Sequence, residues 1–292
     1  MTDASQISKN PGATRSVGSY PGAAVGPNVV GLTLNYPGPL ALHRLQSMGW
    51  RVTKVEGPAG DPLQHHFPTL YDRLREGSSV RVLDLLQTSA LAEFKELLKS
   101  ADCFLTSARS QSLDQMGCSA GQLAKEFPNL KVVQLIGDEA DESLPTHDLN
   151  ALFASGLASV AQFPNALYVD TLAAEQLVSS CLSVQNLKGF SWSKVSLQSC
   201  ANQLAWPLEA GLTVPEGLLG GQNPFYSIYR CSDGQVAVAC VEPKFTKKFC
   251  EALAVSPQIS RSDLQAVIEK ISVVDLQDRL SHLPVTMRGK DG

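Results

Sequence analysis

A chain of 292 residues is long enough to bury a substantial core and predicts one large domain or two. With 43% hydrophobic and 18% charged residues it has the composition of a globular protein, and no apolar run approaches the roughly 20 residues that a membrane-spanning helix needs. The net charge of -4 gives no reason to expect nucleic acid or a membrane surface as a partner.

Seven cysteines are scattered along the chain, and no two of them form a Cys-x-x-Cys pair. Their odd number and irregular spacing argue against a disulfide framework and against a zinc site. We therefore expect reduced thiols, a cytoplasmic location and no bound metal. At the start of the chain, residues 1–28 are rich in Ser, Gly, Ala and Pro, which predicts a disordered tail.

Residues 29–206 contain short apolar runs that alternate with helical patterns, as in an α/β domain. Strands that follow one another in β-α-β order pair in parallel, so we predict a Rossmann-like, doubly wound parallel sheet. The turn after the first strand lacks the G-x-G-x-x-G fingerprint, and we expect no dinucleotide cofactor. The predicted strands are 29–34, 50–56, 80–85, 102–106, 130–136 and 194–197.

A second, smaller domain is predicted at the end of the chain. Glycine and proline are frequent in residues 207–224, which is typical of a linker. Two strand patterns at 225–229 and 235–241 are joined through Ser-Asp-Gly, a clear hairpin signal. Helical patterns follow, so residues 225–292 are predicted to form a small α+β domain.

Four ionisable residues lie at the starts of helical patterns. His147 and Asp148 begin one of these, Asp170 begins a second after an apolar run, and Glu242 precedes Pro243. The first turn of a helix has unpaired N–H groups and the positive end of its dipole, which favour anions, including a developing enolate. Taken singly, each residue is equally explained as ordinary helix capping.

Arg109 follows the fourth predicted strand directly. In open α/β sheets, ligands bind at the carboxyl ends of the strands, so this arginine is a candidate ligand-binding residue. A solvated surface arginine is the alternative.

Five segments, in this order, resemble the family III CoA-transferases, a group that also includes the α-methylacyl-CoA racemases. The similarity extends from about residue 29 to about residue 253. The segments are VVGLTLNYPGPLALHRLQSMGWRVTKVEGPAGDPL, CFLTSARSQSLDQMG, HDLNALFASGL, LYVDTLAAE and PFYSIYRCSDGQVAVACVEPKF.

The resemblance implies a role for each candidate residue. Asp170 matches an aspartate that is catalytic in both branches of the family. In transferases it is a nucleophile, and in racemases it works with a histidine that His147 matches. Glu242 is implied to support that histidine, Asp148 to help hold the substrate, and Arg109 to occupy the arginine position of a CoA-binding loop.

The resemblance also implies the ligand and the assembly. Residues 29–206 would bind an acyl-CoA, whose thioester supplies the acidity, so that neither a metal nor a redox cofactor is required. Family members form homodimers in which two ring-shaped chains interlock, which predicts a homodimer here, or a heteromer with a related subunit.

Three functions remain open from the sequence. His147 favours an acyl-CoA racemase or epimerase, because the transferases of the family generally lack this histidine. A CoA-transferase with Asp170 as nucleophile is the second. The third is a weakly active or non-catalytic acyl-CoA binder or partner subunit. It is favoured by Gly57, Ser78 and Ser79 where relatives are basic, and by Gly-Asp-Glu-Ala at 137–140 in place of a glycine-rich loop.

Overall fold

A computed structural model describes residues 26–161 and 163–289. They divide into a larger unit that extends to Ala205 and a smaller unit that begins at Trp206. The predicted tail lies outside the described residues, except for its last three positions. Within the described part of the chain, no helix is long and apolar enough to cross a membrane.

The larger unit contains one six-stranded sheet in the order β3-β2-β1-β4-β5-β6, and every neighbouring pair is parallel. The chain builds the sheet outward from β1 in one direction, and then from β4 in the other, which confirms the predicted doubly wound fold. The strands are β1 (Asn28–Leu32), β2 (Arg51–Glu56), β3 (Ser79–Val82), β4 (Cys103–Thr106), β5 (Lys131–Ile136) and β6 (Ser191–Ser196).

Helices cover both faces of this sheet, and the boundary between the two units falls within the last of them. They are α1 (Pro37–Ser47), α2 (Pro62–His66), α3 (Pro68–Leu74), α4 (Thr88–Lys99), α5 (Ser110–Gln115), α6 (Ala120–Glu126), α7 (Asp148–Ala154), α8 (Tyr168–Val184) and α9 (Leu197–Glu209).

Consecutive strand residues point to opposite faces, and both faces of the central strands β4 (CFLT) and β5 (KVVQLI) are buried, so these two strands are mostly apolar. Leu105 of β4 packs in the cluster that includes Leu177 of α8. The adjacent Phe104 belongs to the opposite cluster and meets Phe94 of α4 edge to face, with ring centroids 5.6 Å apart. Helix α8 is therefore a core helix, and its buried side chains fix the position of its first turn.

The smaller unit has a three-stranded antiparallel sheet, which confirms the predicted α+β character. Its strands are β7 (Tyr226–Cys231), β8 (Gly234–Ala239) and β9 (Val285–Gly289), and its helices are α10 (Pro243–Leu253), α11 (Arg261–Ile268) and α12 (Val273–Leu280). Gly234 is required where β9 approaches, because a Cβ atom there would lie 2.2 Å from the carbonyl oxygen of Arg288. All seven cysteines of the chain are free and buried.

Candidate active site

A cavity of about 260 Å³ lies at the carboxyl ends of β1, β4 and β5, where the strand order reverses. Open parallel sheets bind their ligands at this position, because the loops on either side of the reversal diverge. Its polar lining includes Asn35, Arg109, Ser110, Glu142, His147 and Asp170. Three of the predicted site residues, Arg109, His147 and Asp170, are therefore gathered in one place.

Asp148 connects the two helix starts that carry His147 and Asp170. Its side chain is buried, and Oδ1 accepts hydrogen bonds from the main-chain N–H groups of Val169 at 2.7 Å and of Asp170 at 3.1 Å. The first residue of α7 thus caps α8 and holds Asp170 close to His147. A direct role of Asp148 in substrate binding stays a prediction.

Asp170 has a raised proton affinity. It is half-buried in the first turn of α8, and burial, followed by the negative charge of Asp148, raises its pKa to about 6. A buried carboxylate loses hydration, and a nearby like charge further disfavours ionisation. Asp170 therefore exchanges a proton in the neutral range, which suits a general acid or base.

His147 is the N-cap residue of α7, and it is exposed. Its main-chain N–H donates to the Oδ1 atom of Asn150 at 2.6 Å, which fixes the backbone at this position. The capping contact is thus made by the backbone of His147, while its imidazole contributes to the cavity lining.

Arg109 is the exposed N-cap residue of α5. Among residues 26–161 and 163–289 it forms no ion pair, whereas Lys194 nearby is paired with Glu142. Arg109 can therefore offer its full charge to an anionic group of a ligand.

Glu242 belongs to the smaller unit, where it is the N-cap residue of α10. Its carbonyl oxygen accepts the main-chain N–H groups of Phe245 at 2.8 Å and Thr246 at 2.9 Å, and its carboxylate makes no capping hydrogen bond. The support of His147 by Glu242 stays a prediction.

Two further features of the cavity were not predicted. Asn35 adopts a positive φ of 64°, and its N–H donates to Asp61 Oδ1 at 3.2 Å. Asp61 is itself buried against Lys54, with Nζ 2.6 Å from Oδ2, so an internal ion pair supports this part of the wall. The second feature is Glu142, whose partners lie far away in sequence. In the described part of the chain, no cluster of three potential metal ligands occurs.

The profile of CoA-transferase family III matches residues 25–173 and 189–282 of the sequence. The chain belongs to CoA-transferase family III. This confirms the family that the five sequence segments indicated.

Relatives within family III differ in their activities. The chain is 27% identical to an α-methylacyl-CoA racemase of Homo sapiens over 266 residues, covering 79% of this chain and 65% of the relative. It is 26% identical to a cinnamoyl-CoA:phenyllactate CoA-transferase of Clostridium sporogenes over 240 residues, covering 70% of this chain and 58% of the relative. The chain therefore spans less than two thirds of the length of either relative.

Solved structures share the fold of this family III chain. A hypothetical protein of Mycobacterium tuberculosis superposes with a TM-score of 0.76 at 20% identity, covering 91% of this chain and 84% of that one. A CaiB/BaiF family protein of Brucella suis gives a TM-score of 0.73 at 18% identity, covering 91% and 83%. These similarities support the α/β fold and carry no information about the substrate.

Proposed function

We propose that the protein catalyses proton transfer at the carbon α to a CoA thioester, as an acyl-CoA racemase or epimerase. The observation that carries this proposal is the presence of His147 and Asp170, a base and an acid, in one cavity. A racemase needs two such groups, because a proton removed from one face of the carbon must be replaced from the other.

In the proposed reaction, the Asp170 carboxylate takes the α proton and the thioester becomes an enolate. The His147 imidazolium then returns a proton to the opposite face of the same carbon, and the C=O bond reforms. For the other enantiomer the two groups exchange roles. Burial and the charge of Asp148 raise the pKa of Asp170 to about 6, which makes its carboxylate a stronger base than that of an ordinary aspartate.

The charge of the enolate needs a nearby donor. Two main-chain N–H groups at the start of α8 are already bound to Asp148, so they are not free for this purpose. The Arg109 guanidinium is the better candidate, either for the enolate or for a phosphate of CoA.

The test is incubation with a 2-methylacyl-CoA in deuterated water. The wild-type protein should incorporate deuterium at the α carbon, and His147→Ala and Asp170→Asn should each abolish incorporation. Glu126→Gln, a change in an ion pair with Lys95 on α4, is a matched control that should retain it. A wild-type protein that exchanges no α proton in any acyl-CoA would refute the proposal.

A CoA-transferase is the second candidate, because the transferase of Clostridium sporogenes matches almost as well as the human racemase, at 26% against 27% identity. Here the Asp170 carboxylate attacks the thioester carbonyl and the C–S bond breaks. CoA departs as the thiolate, and the acyl group stays on Asp170 as a mixed anhydride. The thiolate then attacks the aspartyl carbonyl and releases the carboxylic acid, which leaves an aspartyl-CoA thioester.

Hydroxylamine distinguishes the two reactions. It converts an aspartyl-CoA thioester to a hydroxamate, which mass spectrometry would locate at Asp170. A transferase should also retain activity in His147→Ala, whereas a racemase should not. If calorimetry detects CoA binding while neither exchange nor trapping occurs, the protein is an acyl-CoA binder, and both catalytic proposals fail.

A further inference from the structure

Glu142 lies in the middle of the segment that leads to His147. This segment, residues 137–147, connects the end of β5 to the start of α7, and we call it the β5–α7 loop. Glu142 Oε2 accepts a hydrogen bond from Ser110 Oγ at 2.8 Å, and Oε1 pairs with Lys194 Nζ on β6. One carboxylate therefore attaches the loop to two different elements of the scaffold.

Most other polar contacts of the β5–α7 loop are local, apart from the carbonyl oxygen of Gly137 at its base, which accepts the main-chain N–H of Gln198 at 3.0 Å. Asp138 accepts the N–H of Ala140 and Asp141 accepts the N–H of Ser143, both at 2.9 Å, so these turns shape the loop without attaching it. At its base, Gly137 packs so closely against Thr146 that a Cβ atom would lie 2.7 Å from Oγ1. Glu139 adds one exposed contact with Ser199 Oγ at 3.3 Å.

Glu142 is well suited to serve as a permanent attachment. The hydrogen bonds from Lys194 and Ser110 lower its pKa, which favours the charged carboxylate that both contacts require. Its side chain is about one-third exposed and lines the same cavity as His147 and Asp170. Because Glu142 pairs with Lys194, it does not neutralise Arg109, which also lines the cavity. Among the described residues, Arg109 has no ion-pair partner.

We propose that Glu142 is a positioning residue, whose carboxylate clamps the β5–α7 loop to Ser110 and Lys194 and so holds His147 beside Asp170. The structural part of this proposal concerns the protein without substrate. Its catalytic consequence rests on the proposed proton transfer. A displaced general base loses rate steeply, since reaction needs the groups in near-contact geometry.

Hydrogen–deuterium exchange of the substrate-free protein tests the clamp directly. Glu142→Ala should raise exchange of the amides of residues 140–144 by about threefold or more, and Glu142→Gln by less, because loss of one charge-assisted hydrogen bond shifts a local equilibrium by this order. Glu126→Ala removes an ion pair of similar exposure, 38% against 32%, and should leave the loop unchanged. Unchanged exchange of the loop in Glu142→Ala would overturn the proposal.

A charge exchange tests whether the ion pair itself acts as the clamp. In Glu142→Lys/Lys194→Glu the pair can reform with opposite polarity, and the Ser110 hydroxyl can accept as well as donate. Protection of the loop should return toward the wild-type level. If the double variant exchanges as fast as Glu142→Ala, the pairing with Lys194 is not what holds the loop.

The effect on His147 has its own readout. The chain has five histidines, so a spectrum of protein labelled with ¹⁵N-histidine is simple, and His147→Gln assigns the signal of interest. Glu142→Ala should shift or broaden the His147 resonance and leave the other four in place. Equal changes in all five would indicate general destabilisation and would contradict a positioning role.

If the protein turns over an acyl-CoA, the steady-state kinetics of Glu142→Ala and of the wild-type protein give a further test. Glu142→Ala should lower kcat by about tenfold to a hundredfold, with a change of less than about twofold in KM, because the base is misplaced while Arg109 is intact. A rise in KM at constant kcat would contradict positioning. If no acyl-CoA is turned over, the proposed function fails, while the exchange and histidine experiments still decide the clamp.

Discussion

The carboxylate of Asp148 accepts a hydrogen bond from the main-chain N–H of Asp170 at 3.1 Å. The same oxygen also binds the N–H of Val169, so one side chain fixes the first turn of α8. Its charge is in addition the second cause, after burial, of the raised pKa of Asp170. The same neighbour thus fixes the position of the proposed catalytic acid and adds to the effect of burial on its proton affinity.

Two substitutions of Asp148 should separate these effects. Asp148→Asn keeps an oxygen acceptor, so the free energy of unfolding should change little while the pKa of Asp170 falls below about 6, though it stays above its ordinary value because burial persists. Asp148→Ala leaves two N–H groups without this acceptor and should cost about 1–3 kcal/mol. Urea unfolding measures the free energy, and a pH titration of the Asp170 carboxyl followed by ¹³C NMR measures the pKa. An unchanged pKa in Asp148→Asn would contradict this assignment.

The rate of α-proton exchange should depend on the ionisation of Asp170. Where Asp170 is the base, the carboxylate must be charged, so kcat/KM should fall as pH decreases through about 6. For the enantiomer whose α proton Asp170 removes, a plot of kcat/KM against pH should show this decline, its acidic limb, when measured between about pH 5 and pH 8. In Asp148→Asn the limb should move to lower pH. A limb at the same pH in both proteins would assign it to another group.

Asp170→Asn should stabilise the protein while it abolishes activity. The folded-state pKa of Asp170, about 6, lies above the usual value of 3.8, so the charged form is disfavoured in the folded protein. The resulting gain of up to about 3 kcal/mol should be present at pH 7.5, shrink as pH falls from about 6 to about 4, and vanish below both values.

Urea unfolding at several pH values measures the gain of Asp170→Asn. Asp114→Asn, a change of an exposed aspartate in the same unit, is the control and should give no such gain. A stabilisation that is the same at pH 4 and at pH 7.5 would show that ionisation is not its cause.

Arg109→Gln should weaken the binding of CoA thioesters. Loss of a charge-assisted hydrogen bond to a phosphate or an enolate corresponds to about 1.5–3 kcal/mol, and hence to about a tenfold to hundredfold loss in affinity. Calorimetry with CoA measures it. Arg51→Gln is a suitable control, because Arg51 is exposed at the start of β2, at the other end of the strands. Equal losses in both variants would indicate a general charge effect.

The parallel sheet could be predicted because each central strand is an apolar run next to a helical pattern, as at Lys131–Ile136. Strand β9 was missed, since its sequence VTMRG is short and its pairing with β8 is remote along the chain. Helix α9 was missed as well. It runs through Pro207 to Glu209, so the first three residues of the predicted linker 207–224 are helical, although proline is normally a signal that a helix ends.

The candidate site was only partly predictable for a similar reason. His147, Asp170 and Arg109 carry local signals at helix starts or strand ends. Glu142 has none, because its partners Ser110 and Lys194 are 32 and 52 residues away. The capping interpretation of Asp148 was also incomplete, since it caps α8 rather than its own helix, and only the fold brings those two segments together.

The reactivity of the seven buried thiols can report the unfolding of the protein. A thiol-reactive dye should label the native protein slowly, and it should react as soon as a unit opens. Cys103, Cys118, Cys181 and Cys200 lie in the larger unit, and Cys231, Cys240 and Cys250 lie in the smaller one. Mass spectrometry of the labelled peptides would therefore give a separate opening rate for each unit, without any introduced probe.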